Sequence, residues 1–255
     1  MHSIQLLFLA GCVIAPLAAQ GTDVITRKDG AKLRGVEITQ FEHAGLKATK
    51  KGGEELEIPG HMVLSVTWGD LPEEFIAGRA SMNRGDYASA TQMFGEAANK
   101  ATRPLVKADC EFFQITAAVA AIGSDRGAAQ TAAEKAKKWL EANGSHWRVP
   151  EALLLAGRAS RLAGDAAGAS TTLKELDDRA SRDGFGPVWS ARAKFELALT
   201  LEADGKATDA RAMFQSAKSA ADNALMTPSA DDGELGRIKV LAKIGEGETF
   251  LTEKD

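Results

Sequence analysis

A short turn recurs along most of this chain at nearly constant spacing, and that recurrence restricts the fold more than any other feature. Gly85-Asp86, Ser124-Asp125, Gly164-Asp165 and Gly205-Lys206 begin at positions separated by 39, 40 and 41 residues. Other positions keep phase with the turn. Seven residues before it stand Gly78, Ala117, Gly157 and Ala198, and five after it stand Ala90, Ala129, Ala169 and Ala210. Nine after it come Phe94, Ala133, Leu173 and Phe214, and twelve after it Ala97, Ala136, Leu176 and Ala217. The first and third copies share a local string, Ala77-Gly78-Arg79-Ala80-Ser81 and Ala156-Gly157-Arg158-Ala159-Ser160. A fixed period of this length marks a repeat architecture, in which each unit buries its apolar face only against its neighbours. Within the unit the pattern suits two antiparallel helices. They approach closely where side chains are small, and the Phe or Leu knob fills the space between one pair and the next.

This unit resembles the tetratricopeptide repeat (TPR), whose helix pair carries a small residue in its first helix, a Gly-Asp-Tyr-like turn, then Ala, aromatic and Ala in its second. Residues 78–97 carry the resemblance most fully, with Tyr87 at the turn; the third and fourth copies lack the Tyr, and the second is the most divergent. The family period is about 34 residues, so helices or connections here should be longer by roughly a turn. The resemblance implies an α-solenoid of four helix hairpins over residues 71–225. Residues 231–253 read as a final capping helix, loosened by Gly245 and Gly247. In that family the first helices line a concave groove for protein or peptide partners. Carried over by position, that face takes Phe75, Arg79, Met82 and Asn83 from the first copy, Glu111 and Gln114 from the second, Leu154, Arg158 and Arg161 from the third, and Arg192, Phe195 and Glu202 from the fourth. Arg79 and Arg158 occupy equivalent places and suit bidentate capture of a carboxylate on an extended acidic segment.

Residues 22–69 follow a different period. Val24-Ile25-Thr26 leads into Lys28-Asp29-Gly30, whose Asp-Gly pair signals a hairpin. The return strand spans Lys32 to about Glu42, and its inward parity changes between Leu33 and Val36, which places a bulge at Gly35. Leu46 and Ala48 mark a third strand, Leu56 and Ile58 a fourth ended by Pro59-Gly60, and Leu64, Val66 and Trp68 a fifth. Five short strands resemble the SH3-like or Sm-like small barrels. So small a sheet buries little on its own and should pack against the first helix pair. Asp70 is expected as the N-cap of the first helix, with Glu73 three residues on.

At the N-terminus, residues 4–19 are uncharged, largely apolar and end in small residues, which reads as a secretory signal over residues 1–19 cleaved after Ala19. Leu9-Ala10-Gly11-Cys12 resembles a bacterial lipobox, so lipidation at Cys12 is the competing reading and the one route to a membrane. With residues 1–19 removed, Cys110 is the one Cys left, and it reads as a small buried apolar residue.

Charge and motifs exclude several function classes. The formal net charge is −4 and the pI about 5.7, without the basic surplus that drives binding to nucleic acid. The chain has no Walker loop, no His-Glu-x-x-His and no Gly-x-Ser-x-Gly. His43, His61 and His146 lie far apart and are expected at the surface, while Trp68, Trp139, Trp147 and Trp189 should pack joins between units.

The fold class expected is therefore mainly α with a small N-terminal all-β module, an α+β multidomain chain: an α-solenoid of TPR-like hairpins preceded by a five-stranded SH3-like barrel. The function expected is that of a non-catalytic scaffold, without catalytic residue, metal or cofactor, exported to the periplasm or cell envelope and mediating protein–protein contact. The alternative is a lipid-anchored accessory subunit of an envelope assembly or export complex.

Overall fold

A computed structural model describes residues 22–227, 229 and 231–252, so the signal-peptide and lipobox readings lie outside the described residues. The strands are β1 (Asp23–Arg27), β2 (Lys32–Phe41), β3 (Gly45–Lys50), β4 (Glu55–Pro59) and, after a 3-10 turn at Gly60–Met62, β5 (Val63–Thr67). They form one antiparallel sheet in the order β4-β3-β2-β1-β5. No ladder joins β4 to β5 among the described residues, so the barrel expectation reduces to a five-stranded sheet. The bulge falls at Gly35 as the parity implied: Asp23 pairs Val36 while Val24 pairs Arg34, and Gly35 takes φ +71°, which an L side chain resists. A second bulge was not foreseen. Arg27 pairs Val63 and Thr26 pairs Ser65, which leaves Leu64 out of the ladder, solvent-exposed, and turns Val63 into the core instead.

The helices form successive hairpins. They are α1 (Glu73–Asn83) with α2 (Tyr87–Lys100), α3 (Pro104–Ala120) with α4 (Arg126–Ala142), α5 (Val149–Leu162) with α6 (Ala166–Arg182), and α7 (Pro187–Ala203) with α8 (Ala207–Ala224). A single helix, α9 (Asp232–Thr252), follows. The turns end in a residue that starts the second helix. Asp86, Asp125 and Asp165 each accept backbone N–H groups of that first turn, whereas Lys206 makes no side-chain cap. Each position in phase with the turn is buried: Gly78, Ala117, Gly157 and Ala198 in the first helices, and the Ala, Phe and Leu columns in the second. The knob packs within its own hairpin as well as against the next. A Cβ on Gly78 would lie 2.8 Å from the Phe94 ring, and Phe94 also meets Phe113 of α3, with centroids 5.4 Å apart.

Two local expectations are corrected. Asp70 is not the N-cap of α1; Pro72 holds that position without a side-chain bond, and the Asp70 carboxylate instead accepts from Arg103 at 3.1 Å. Gly245 does not loosen α9, which runs through it; its missing side chain admits the Phe214 ring, which a Cβ would approach to 2.5 Å.

One hydrophobic cluster runs from the sheet (Ile25, Val36, Leu46, Val63) into α1, α2 and α3 (Phe75, Phe94, Val106, Cys110). The sheet and the first helices thus share a core. Cys110 lies inside it, where burial pushes the thiol up to about 12, the inert state of a structural Cys.

Candidate functional site

The β module does more than cap α1. Four joins tie it to the helices and their connections. Asp23, fully buried, accepts from the backbone N–H of Ile38 and Gly69 and from both terminal nitrogens of Arg103, just before α3. Trp68 Nε1 donates to Asp109 of α3 at 2.9 Å, and the same carboxylate holds Arg148 at the start of α5. Further along, the β2–β3 corner reaches the α4–α5 connection. Glu42 forms a bridge with His146, His43 N–H donates to Ser145 at 2.9 Å, and Phe41 stacks on Trp147 with centroids 4.5 Å apart. At the far end the β1–β2 turn touches the start of the last helix, where Lys28 Nζ bonds Asp231 at 2.8 Å. A buried carboxylate survives only when its lone pairs are occupied, and these joins meet that condition at both Asp23 and Asp109.

Between this bridging sheet and the helices lies a cleft of about 370 Å³. Its sheet wall includes Lys28, His43, His61 and Leu64; its helical wall includes Arg79 of α1, Phe113 of α3, Glu151 of α5 and Trp189 and Arg192 of α7, with Trp147, Arg148 and Phe185 from the connections. Four permanent cations, Lys28, Arg79, Arg148 and Arg192, face this space, and three of them have carboxylate partners. Arg148 is stacked among Phe112, Phe113 and Trp147 and is neutralised by Asp109 and Glu151. Arg192 lies over Trp189 and pairs with Glu234. Arg79 differs from these. It is solvent-exposed, lies 5.3 Å from the Phe113 centroid, and has no carboxylate partner among the described residues.

The residues expected to line a groove divide sharply. Arg79 and Arg192 reach the cleft. Phe75 and Leu154 are buried core residues, and Met82 packs against the same cluster as Phe75, so their apolar surface already serves folding. Gln114 sits against Gly95 of α2, where a Cβ would collide with its amide. Phe195 packs on Phe214, and Asn83 is exposed at the end of α1 outside the cleft. Arg158 and Arg161 both pair with Glu196 of α7, a buried carboxylate, so Arg158 is a clasp between hairpins and no equivalent of the unpaired Arg79. Glu202 and Glu111 are half-buried; burial, with Glu248 nearby, raises the Glu202 carboxyl above the usual range.

His146 departs most from expectation. It is 5% exposed rather than a surface group, and burial lowers its imidazole to about 4. Arg148 adds to that shift and Asp109 opposes it. Its Nδ1 accepts from the Arg148 backbone N–H, and its ring meets Trp139 edge-on. The four Trp residues do pack joins: Trp139 donates to the Ala108 carbonyl at 3.0 Å, and Trp68, Trp147 and Trp189 act as described above.

No family model matches this chain, and no curated protein sequence matches it. Among solved structures, it is similar to the crystal structure of a kinesin light chain-like protein from Podosopora anserina with nearly identical TPR-like repeats. The TM-score is 0.53 at 13% identity, over 71% of this chain and 85% of the other. The helical segment is TPR-like. Residues of α1, α3, α5 and α7 line the helical wall of the cleft, and the chain's own sheet forms the wall opposite. No cluster of three or more metal-ligating side chains occurs among the described residues.

Proposed function

We propose that this chain is a non-catalytic interaction scaffold that takes an acidic segment of a protein partner in the cleft between its sheet and its TPR-like helices. The observation that carries the reading is Arg79: an exposed, unpaired guanidinium over an aromatic ring, in a cleft whose other cations are held by buried or half-buried carboxylates. A carboxylate of the partner would complete its hydrogen bonding, while Leu64 on the sheet wall and Trp189 on the helical wall offer apolar area to a side chain beside it. Pull-down from an envelope fraction with wild type and Arg79→Glu tests it. Partners lost with the reversed charge, at unchanged melting temperature, support the cleft. Identical partner sets remove it.

Export to the periplasm or cell envelope is part of the same proposal and rests on the apolar run at residues 4–19. A second reading, a lipid-anchored accessory subunit of an envelope complex, rests on Leu9-Ala10-Gly11-Cys12. Fatty-acid labelling of wild type and Cys12→Ser separates the two, since only the anchored form takes up label that the substitution abolishes.

A further inference from the structure

The last helix presents a face made for a helical neighbour. α9 buries Leu235, Ile238, Ala242 and Gly245 toward the preceding hairpin. On its opposite side stand Val240 (59% exposed), Ile244 (52%), Gly247 and Leu251 (69%). This stripe repeats the docking face of α1 and of Leu71 just before it. There a small residue, Gly78, has Leu71 seven and Phe75 three positions before it and Met82 four after it; around Gly247 the same offsets hold Val240, Ile244 and Leu251. In α1 that face is covered by α2, whose Phe94 enters beside Gly78. In α9 no described residue covers it, and none lies within 4 Å of a Cβ placed on Gly233 or Gly247.

We infer that this face pairs with the same face of a second copy of the chain, α9 against α9, antiparallel about a two-fold axis. The charges decide for self-association. At 100° per residue, Arg237 and Glu248 fall on one flank of the stripe, and in an antiparallel pair like flanks meet. With the axis between residues 242 and 243, Arg237 of each copy faces Glu248 of the other. Val240 comes opposite Ile244, and Leu251 passes over Gly233, where a side chain is absent. Such an isologous contact is complementary to itself and closes at two copies. Arg237 is exposed and, among the described residues, bonded to Glu234 of its own helix, so it can exchange partners without uncovering a buried charge. One like-charge contact accompanies the arrangement, because Lys243 of each copy faces the other across the axis on the second flank. A single helix pair about 31 Å long lies at the small end of stable interfaces, so a reversible dimer is expected rather than an obligate one.

Sedimentation velocity of the full chain over a rising concentration series tests this. Wild type should shift from monomer to dimer; Ile244→Glu should remain monomeric at every concentration with an unchanged melting temperature. Arg237→Glu and Glu248→Arg should each weaken the dimer by about tenfold, and the double exchange should restore it, as only the antiparallel register allows. Lys243→Ala should tighten it. A wild type that stays monomeric, or a dimer that Ile244→Glu leaves intact, overturns the inference. Failure of the double exchange to restore association overturns the antiparallel register.

Discussion

Gly157 of α5 leaves the space that Leu173 of α6 fills: a Cβ on Gly157 would lie 2.6 Å from Leu173 Cγ. Two effects of Gly157→Ala therefore oppose each other. Alanine gains about 1 kcal/mol of helix propensity, while forcing a fully buried Leu aside costs about 1–3 kcal/mol. Overpacking should win, and urea unfolding should show net destabilisation. Leu173→Ala costs stability through a cavity, yet the double variant should lose clearly less than the sum, because the two changes share one space. Additive losses would mean that the hairpins do not touch at this pair.

Asp109 is the most exposed to failure of the buried carboxylates, since it alone serves Trp68 on one side and Arg148 on the other. Asp109→Ala should destabilise by about 3–5 kcal/mol, because Arg148 loses its innermost counter-charge in a stack of three aromatic rings. Asp109→Asn retains an acceptor for Trp68 and should cost less. A loss within about 1 kcal/mol of wild type for the alanine variant, the scale of surface pairs, would place Arg148 in solvent.

The periodic part of this molecule was legible because its cause is local. Close helix approach needs a small residue at a fixed distance from each turn, so Gly78, Ala117, Gly157 and Ala198 record the packing directly. The Gly35 bulge was legible for the same reason, as a parity change within one strand. The site was less so. Whether Arg79 and Arg158 are equivalent depends on what lies across from each, and Glu196 stands 38 residues from Arg158 in sequence. That the sheet reaches the start of α9 is invisible to any period, as Lys28 and Asp231 are 203 residues apart. Burial of His146 and Arg148 was not legible because both sit in a connection outside the repeat pattern, and the surface expectation for His146 rested on that placement. One signal was available: His146-Trp147-Arg148 follows Trp139 closely, an aromatic and basic concentration unusual in a chain with 6% aromatics.

Acid should weaken the fold through His146. Its imidazole titrates at about 4 in the folded chain, against an ordinary value of about 6.5. Between those limits the unfolded chain binds a proton that the folded chain refuses, so stability falls as pH falls from about 6.5 and the loss saturates below about 4. The full shift corresponds to about 3 kcal/mol. Carboxylates held low by their Arg partners, such as Asp183 and Glu234, add losses of the same sign, so the measurement is the difference between wild type and His146→Gln. The variant should show a shallower decline between pH 7 and 4.5 in urea titrations followed by fluorescence. Parallel curves would mean that His146 titrates in water.

The Lys28–Asp231 contact is partly exposed and should contribute at most about 1 kcal/mol to global stability. Its role is geometric, joining the ends of the bridge over the cleft. Lys28→Ala should leave the melting temperature almost unchanged while speeding hydrogen exchange at residues 27–31 and at the start of α9. Protection unchanged at both places would mean that the sheet holds its position without the contact.

Photocrosslinking in the native envelope tests the binding cleft most directly. A benzoylphenylalanine placed at Leu64, an exposed residue on the sheet wall, should give a discrete adduct with a partner protein. The same group at Lys138, exposed on α4 away from the cleft, should give none. Adducts of equal yield from both positions, or from Lys138 alone, would contradict a partner held between the sheet and the TPR-like helices.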